Sequence, residues 1–529
     1  MSNLYKRLFI FLTASAAMLS GCNKITDINT DPTKSTNMDP GKQVSLVQLR
    51  FSGELTVNER TSIILTMPLV QQIGGIWANR YGQMYIESKQ YLYDLWETTY
   101  PNDVLNIVDA VNRTTGDAKQ SNLNAIARIM KVYTFARLTD LYGDIPYSEA
   151  GKAFSKGVVR PKYDSQKDIY NDFFKELTEA SAQLNASKDP ITYDLFSYNG
   201  NIQEWKKFAN SLHLRLAMRL VKIDPELAKK EAQAAYSAGV FTSNSDIAMI
   251  VHEDVQNTYE DIRGNSVSVA MNQQEVLPRA NNTFIDALKA TNDPRLKYMI
   301  RCYQDNVYKP FNRTDITDQV KAQVGITGVN RGSYIWDDWA NSFSIDIPSV
   351  GPYTVSNNEQ KAQFANFLIR NNAPFMHITY AEVEFLLAEA TQRWGLNFGG
   401  TVSQHFAKGL TAACQQLSYF PGGPTLTGSE INDFITGNPL QPGKELEMVN
   451  TQLWIALLFN GPEAFANWRR TGFPKLTPAI TAESTTTTTP RRFEYPLSEH
   501  EQNATNIQSA ITALGGDDDW TKRVWWDKE

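Results

Sequence analysis

The sequence predicts an all-α protein of stacked helix pairs joined by long irregular loops. Three observations predict it. Apolar residues recur with a period near 3.6 along successive stretches, helix-start and helix-stop residues bracket those stretches, and the segments between them are polar and rich in Gly and Asn without strict strand alternation. At 529 residues, 42% hydrophobic and 20% charged, the chain carries enough apolar material for a large core. Its three cysteines, Cys22, Cys302 and Cys414, exclude a disulfide scaffold, so the fold rests on packing. With 51 Lys and Arg against 57 Asp and Glu, the net charge of −6 gives no electrostatic reason to expect nucleic acid.

Residues 1–21 read as an export signal. Lys6 and Arg7 precede an apolar run from Leu8 to Leu19, which is too short to span a bilayer of about 30 Å. Leu19-Ser20-Gly21-Cys22 then places small residues before a cysteine, as in the lipobox of bacterial lipoproteins, so Cys22 is the expected lipidation site. Several acyl chains, at about 0.8 kcal/mol per buried CH₂, make a stable anchor. Residues 22–40 are polar, contain Asp31-Pro32 and Asp39-Pro40, and suit a lipidated tether. Residues 41–529 are expected to form a single helical domain.

Within that domain, Ile126, Ile129, Met130, Tyr133, Leu138 and Leu141 share one face of a helix that Gly143 and Pro146 stop. Ser165 and Asp168 have capping-box spacing ahead of Phe173, Leu177, Ala180 and Leu184. Helices are expected at 204–221, at 225–238, where Pro225 stands at the start and Gly239 just past the end, across Val383 to Trp394, and at 447–459. Such pairs predict hairpins stacked as in tetratricopeptide-type scaffolds, although no strict 34-residue repeat is present. The long polar stretches 253–282, 311–358 and 419–443 are expected to be loops with functional roles. The run from Ser484 to Thr489 reads as an exposed turn.

TDLYGDIPYSEA (Thr139–Ala150), WKKFANSLHLRLAMRL (Trp205–Leu220), DPRL (Asp293–Leu296), TYAEVEFLLAEA (Thr379–Ala390), LWIALLFNGPEAFANWRRTGFP (Leu453–Pro474) and RRFEYPLSEHEQNATN (Arg491–Asn506) follow one another in this order. Together they resemble the SusD/RagB family, in particular its SusD-like outer-membrane nutrient-binding lipoproteins. The resemblance implies a surface-exposed lipoprotein of the outer membrane without catalytic activity or cofactor. Such a protein binds oligosaccharide or polysaccharide, or peptide as in the RagB branch, and acts with a SusC-type TonB-dependent transporter. It also implies a tetratricopeptide-like helix-pair scaffold with long irregular ligand-binding loops. The shared segments are scaffold motifs, and ligand contacts differ among members.

Sugar recognition needs flat apolar surface for pyranose C–H faces and polar groups for the hydroxyls. Two segments supply both. The first holds Trp77, Asn79, Arg80 and Tyr81, followed by Tyr85, Tyr91, Tyr93 and Trp96; Trp77, Tyr81 and Tyr85 are also four apart, the spacing of a buried helix stripe. The second, residues 330–339, sets Tyr334, Trp336 and Trp339 beside Arg331, Asp337 and Asp338, with Gly325, Gly328 and Gly332 nearby. The sequence reading therefore places Trp77, Asn79, Arg80, Tyr81, Tyr334, Trp336 and Trp339 in one ligand site. Trp520, Trp525 and Trp526 suit either a sugar platform or a docked chain end. The five histidines show no paired metal spacing, no metal site is assigned, and no Gly-x-Ser-x-Gly or Cys-x-x-Cys occurs. Adjacent acids such as Glu382 and Glu384 leave a surface glycoside hydrolase as the weakest alternative.

Overall fold

The computed structural model describes residues 38–258, 260–272, 277–304, 313–329, 342–348, 351–356, 359 and 362–529. Cys22, the export signal, most of the tether, and Tyr334, Trp336 and Trp339 lie outside the described residues. The longer helices are α1 (Pro40–Gly53), α2 (Lys89–Thr99), α3 (Leu105–Thr114), α4 (Ser121–Tyr142), α5 (Gln166–Gln183), α6 (Ile202–Arg219), α7 (Pro225–Ala238), α8 (Asn282–Ala290), α9 (Thr317–Val329), α10 (Tyr380–Trp394), α11 (Val402–Gln415), α12 (Gly428–Gly437), α13 (Glu445–Ala456), α14 (Gly461–Thr471) and α15 (Ala504–Ala513). Consecutive helices pack as pairs: α3 on α4, α4 on α5, α5 on α6, α6 on α7 and α10 on α11. This is the all-α, tetratricopeptide-like scaffold that the periodicity predicts. Among the described residues no helix is long and apolar enough to cross a membrane.

Local chemistry explains the helix boundaries. The Asp39 carboxylate accepts from the Gly41 and Lys42 amides, with Pro40 in the first turn, so the end of the expected tether caps α1. Ser165 accepts from the Asp168 amide at 3.1 Å and opens α5. Gly143, at φ 93°, ends α4, and the chain turns through β2 (Ile145–Pro146), which pairs with β3 (Tyr163–Asp164). That segment is the corner its composition suggests.

All three expected loops hold regular structure, 253–282 with a helix at Ser266–Asn272 and a short strand at Arg279–Ala280. Within 419–443, Thr427 and Glu430 form a capping box that starts α12. Within 311–358 stand α9, whose backbone includes Gly325 and Gly328, and a hairpin of β7 (Phe343–Ile347) and β8 (Gly351–Val355). The hairpin alternates exposed Ser344 and Asp346 with partly buried Phe343 and Ile345. It closes a small core with Cys302, Ile316 and Val320, separate from the main core that holds Cys414. Burial pushes both thiols up to about 12.

The main core buries charge as well as hydrocarbon. Arg215 grips Glu382 with bonds of 2.6 and 2.7 Å, Arg219 reaches Glu463 at 2.6 Å and Asp140 at 3.2 Å, and Arg470 grips Glu389 at 2.6 and 2.7 Å. Arg469 donates to the Asp140 and Arg491 carbonyls and lies over the Phe465 ring at 4.2 Å, so the Trp468-Arg469-Arg470 run is scaffold. Trp520 and Trp526 are buried, and the Trp526 indole donates to Asp140 at 2.9 Å, docking the last segment onto α4.

Candidate functional site

The first aromatic segment is built from beneath by an irregular helix. Residues Glu59–Thr66 adopt π-helical geometry, whose misaligned carbonyls are open to side-chain donors. Asn79, fully buried, donates from Nδ2 to the Ile63 carbonyl at 2.8 Å. Gly82 sits so close to this helix that an added Cβ would collide with the Leu65 carbonyl oxygen. Between the two elements, Gln71 takes a positive φ of 58° and β1 (Ile73–Gly74) pairs with β5 (Arg279–Ala280). The chain then makes a 3₁₀ turn, Trp77–Asn79, and a single helical turn, Arg80–Gln83, before Tyr85 at φ 56° breaks it off.

That break decides between the two readings of Trp77, Tyr81 and Tyr85. They do not form one buried stripe: Tyr85 is buried, Tyr81 is half-buried, and Trp77 is 50% exposed. The Trp77 indole therefore stands half out of the fold, with its ring contacts made by Arg80 and Tyr81.

The exposed ring belongs to a ladder. The Arg80 guanidinium lies 4.1 Å from the Trp77 ring centroid, Tyr81 meets Trp77 edge to face at 5.5 Å, and Tyr91 from α2 meets Tyr81 edge to face at 4.9 Å. Arg60 of the π-helix stands over Tyr91 at 5.4 Å and reaches Asp94 at 3.4 Å. Each step is a favourable quadrupole or cation–π contact, of about 0.5 to 1.5 kcal/mol. Burial, then the neighbouring Tyr81, raises the Tyr91 hydroxyl above its usual range, which keeps it a neutral donor. Burial also raises Asp94, against the pull of Arg60.

The Thr-rich run closes the rear of this platform. It is irregular and exposed, as expected, yet anchored: the Thr485 amide and hydroxyl both donate to the Tyr85 carbonyl, at 3.0 and 2.9 Å, and the Glu87 amide donates to Thr485 Oγ1 at 3.0 Å. Beside it, Arg80 Nη1 meets Glu483 at 2.8 Å. Sequence reasoning missed Tyr91 as a partner of Tyr81 and missed Glu483, which lies some 400 positions from Arg80. No local signal points to the second; the aromatic density of α2 points to the first. Tyr93 is half-buried and Trp96 is core, ringed by Tyr100, Tyr142, Tyr163 and Tyr495.

A small sheet leads from the platform to the small core. It is ordered β1, β5, β9 (Gln363–Phe364), β6 (Ile300–Arg301), and β6 runs directly into Cys302 of the small core. Strand β1 ends three residues before Trp77, while α9 and the β7–β8 hairpin flank residues 330–341. The sheet thus ties the platform to the elements on either side of the second segment.

The turn offers the exposed part of the Trp77 ring, with the Arg80 guanidinium stacked over it and the Glu483 carboxylate alongside, which suits holding a ligand with C–H faces and hydroxyls. Elsewhere the histidines are engaged: His213 with Glu231 at 2.9 Å, His405 with Glu384 at 2.6 Å, His252 with Ser52 at 2.9 Å, His377 with Tyr133 at 3.1 Å and His500 with Asp518 at 3.0 Å. Among the described residues no group of three or more His, Cys, Asp or Glu is placed to hold a metal ion.

Comparison with known proteins bears on this geometry. Residues 54–496 match a SusD-like family model described as starch-binding, associating with outer membrane. A solved chitin-binding protein is 35% identical, with 93% of this chain and all of the other covered at a TM-score of 0.78. A SusD-like protein from Bacteroidetes AC2a is 31% identical over 93% and 100% of the two chains, at a TM-score of 0.84. A SusD homolog from Bacteroides uniformis is 25% identical over 93% and 99%, at 0.72. No curated protein matches the chain.

Proposed function

This chain belongs to the SusD-like family, and on that premise we propose that it is a surface glycan-binding lipoprotein that captures an oligosaccharide and delivers it to a SusC-type TonB-dependent transporter. The observation that carries the proposal is the half-exposed Trp77 ring, braced by Arg80 and Tyr81. A preorganised aromatic face loses little entropy on binding, so the area it covers goes into affinity. In this reading Trp77, Arg80 and Tyr81 touch the sugar and Asn79 holds the turn beneath them. Tyr334, Trp336 and Trp339 complete the site from the mid-chain segment.

The 35% identity to a chitin-binding protein supports oligomers of N-acetylglucosamine as first probes, and the family description supports starch fragments as second. Residues 1–21 are removed on export, Cys22 carries the lipid, residues 22–40 tether the protein to the outer membrane, and residues 41–529 form the binding domain facing outward. No turnover is part of the role.

The test is a binding screen of the purified protein against N-acetylglucosamine hexamer, maltohexaose and mixed peptides, with products followed over long incubation. Saturable binding of a glycan left intact is expected. Binding of peptides alone would favour the RagB-type reading, and shortened glycans would favour a hydrolase. Cys22→Ser should move the protein out of the membrane fraction, and co-purification from membranes should recover the transporter.

A further inference from the structure

The three C-terminal tryptophans part company in the fold. Trp520 and Trp526 are buried, whereas Trp525 is only partly so and lines a cleft of about 700 Å³. We propose that this cleft is a second carbohydrate site, which takes a short neutral pyranoside chain against Trp525. The ligand class rests on the glycan-binding reading above. The cleft shares no residue with the Trp77 platform.

Its volume falls within the roughly 300 to 1,000 Å³ typical of small-ligand sites. One wall is apolar: Ala510, Ala513 and Leu514 at the end of α15 continue the surface of Val524 and Trp525. Trp525 is steadied from inside by Tyr170, whose ring lies 6.2 Å away. The remaining walls carry Lys167, Arg523 and Lys528 against Asp144, Asp527 and Glu529. Three cations face three acids, so the charge balance selects neither an anion nor a cation.

Most of these charges are already held in place. Asp527 binds Arg491 with bonds of 2.7 and 2.6 Å, Arg523 reaches Asp527 at 2.9 Å and Glu529 at 3.2 Å, and Asp144 accepts from the Gln166 amide at 2.7 Å. Asp527 is fully buried with both oxygens engaged, so the groups open to sugar hydroxyls are Asp144, the Arg523 guanidinium and, at the rim, Lys528 and Glu529. An apolar strip opposite such groups matches the two faces of a pyranose. The walls come from the corner after α4, the start of α5, the end of α15 and the irregular C-terminal segment from Arg523 to Glu529, which Trp526 and Asp527 dock onto the core.

The test is calorimetric titration of N-acetylglucosamine hexamer and of maltohexaose into wild type, Trp77→Ala, Ala513→Trp and the Trp77→Ala/Ala513→Trp double variant. Ala513 is exposed, so Ala513→Trp fills the cleft without touching the core. Two sites are expected in wild type, the cleft alone at full strength in Trp77→Ala, the platform alone in Ala513→Trp and no full-strength site in the double variant, with melting temperatures unchanged. Trp525→Ala should match Ala513→Trp; if it fails to fold, Ala513→Trp decides. Loss of all binding in Trp77→Ala, or unchanged stoichiometry in Ala513→Trp, would overturn the cleft and leave the platform standing. Loss of all binding in Ala513→Trp with Trp77→Ala unaffected would overturn the platform and leave the cleft. Absence of glycan binding in wild type would overturn both.

Discussion

Two regions of this molecule use the same residues to opposite ends. In α14, Trp468, Arg469 and Arg470 lie inside the fold, and each guanidinium is met by a carboxylate, a carbonyl or a ring. In the Trp77 turn, Arg80 again lies over an aromatic face and again meets a carboxylate, yet Trp77 is half exposed and Glu483 is open to water. Composition does not separate them; exposure does. A buried arginine–aromatic cluster holds elements together, whereas the same cluster at a surface turn leaves a braced ring open to solvent.

The contrast is sharpest at Glu389. Burial works against its ionisation, but Arg470 and Arg393 overcome it and hold the carboxyl at about 2. Glu389→Ala leaves Arg470 uncompensated in the core and should cost about 3 to 5 kcal/mol in denaturant unfolding, or prevent folding. Because the folded-state value lies below the ordinary 4.5, the stabilisation is fully present above pH 4.5 and is lost as pH falls toward 2. Wild type should therefore lose stability across that window, and a charge-neutral Glu389→Gln protein, if it folds, should lose less there.

Next in size is the seat of the platform. Gly82→Ala drives a methyl group into the Leu65 carbonyl and should cost about 1 to 3 kcal/mol, with glycan affinity falling as Trp77 is displaced. A melting curve read beside a titration separates the two effects.

How far the sequence reaches depends on the range over which each signal acts. Helix starts at Ser165 and Pro225 and the stop at Gly143 are local, and they were legible within a residue or two. The same chemistry marks α12 through Thr427 and Glu430, but the surrounding Gly and Pro mask it. Periodicity did not disclose the β7–β8 hairpin, because only its alternation over five residues signals it. Composition singles out Asn79 as a ligand-binding candidate, yet the buried strut it forms depends on a carbonyl of the π-helix, and π geometry leaves no sequence mark. The Arg80–Glu483 pair joins distant segments through tertiary packing alone.

That pair gives the smallest predicted effect. With Arg80 partly exposed and Glu483 half exposed, Glu483→Ala should change stability by about 0 to 1 kcal/mol, the range of surface ion pairs. A large stability loss there would erase the distinction drawn between surface and core. A modest change in glycan affinity, from a guanidinium freed to reorient over Trp77, would sharpen it.

The most direct test of the account is calorimetric titration of N-acetylglucosamine hexamer into wild type and Trp77→Ala. The exposed ring should be an anchor worth about 1 to 3 kcal/mol at the platform, so binding there should weaken by about 5- to 150-fold while the melting temperature stays within a degree or two. An isotherm identical to wild type from a folded Trp77→Ala protein would contradict it.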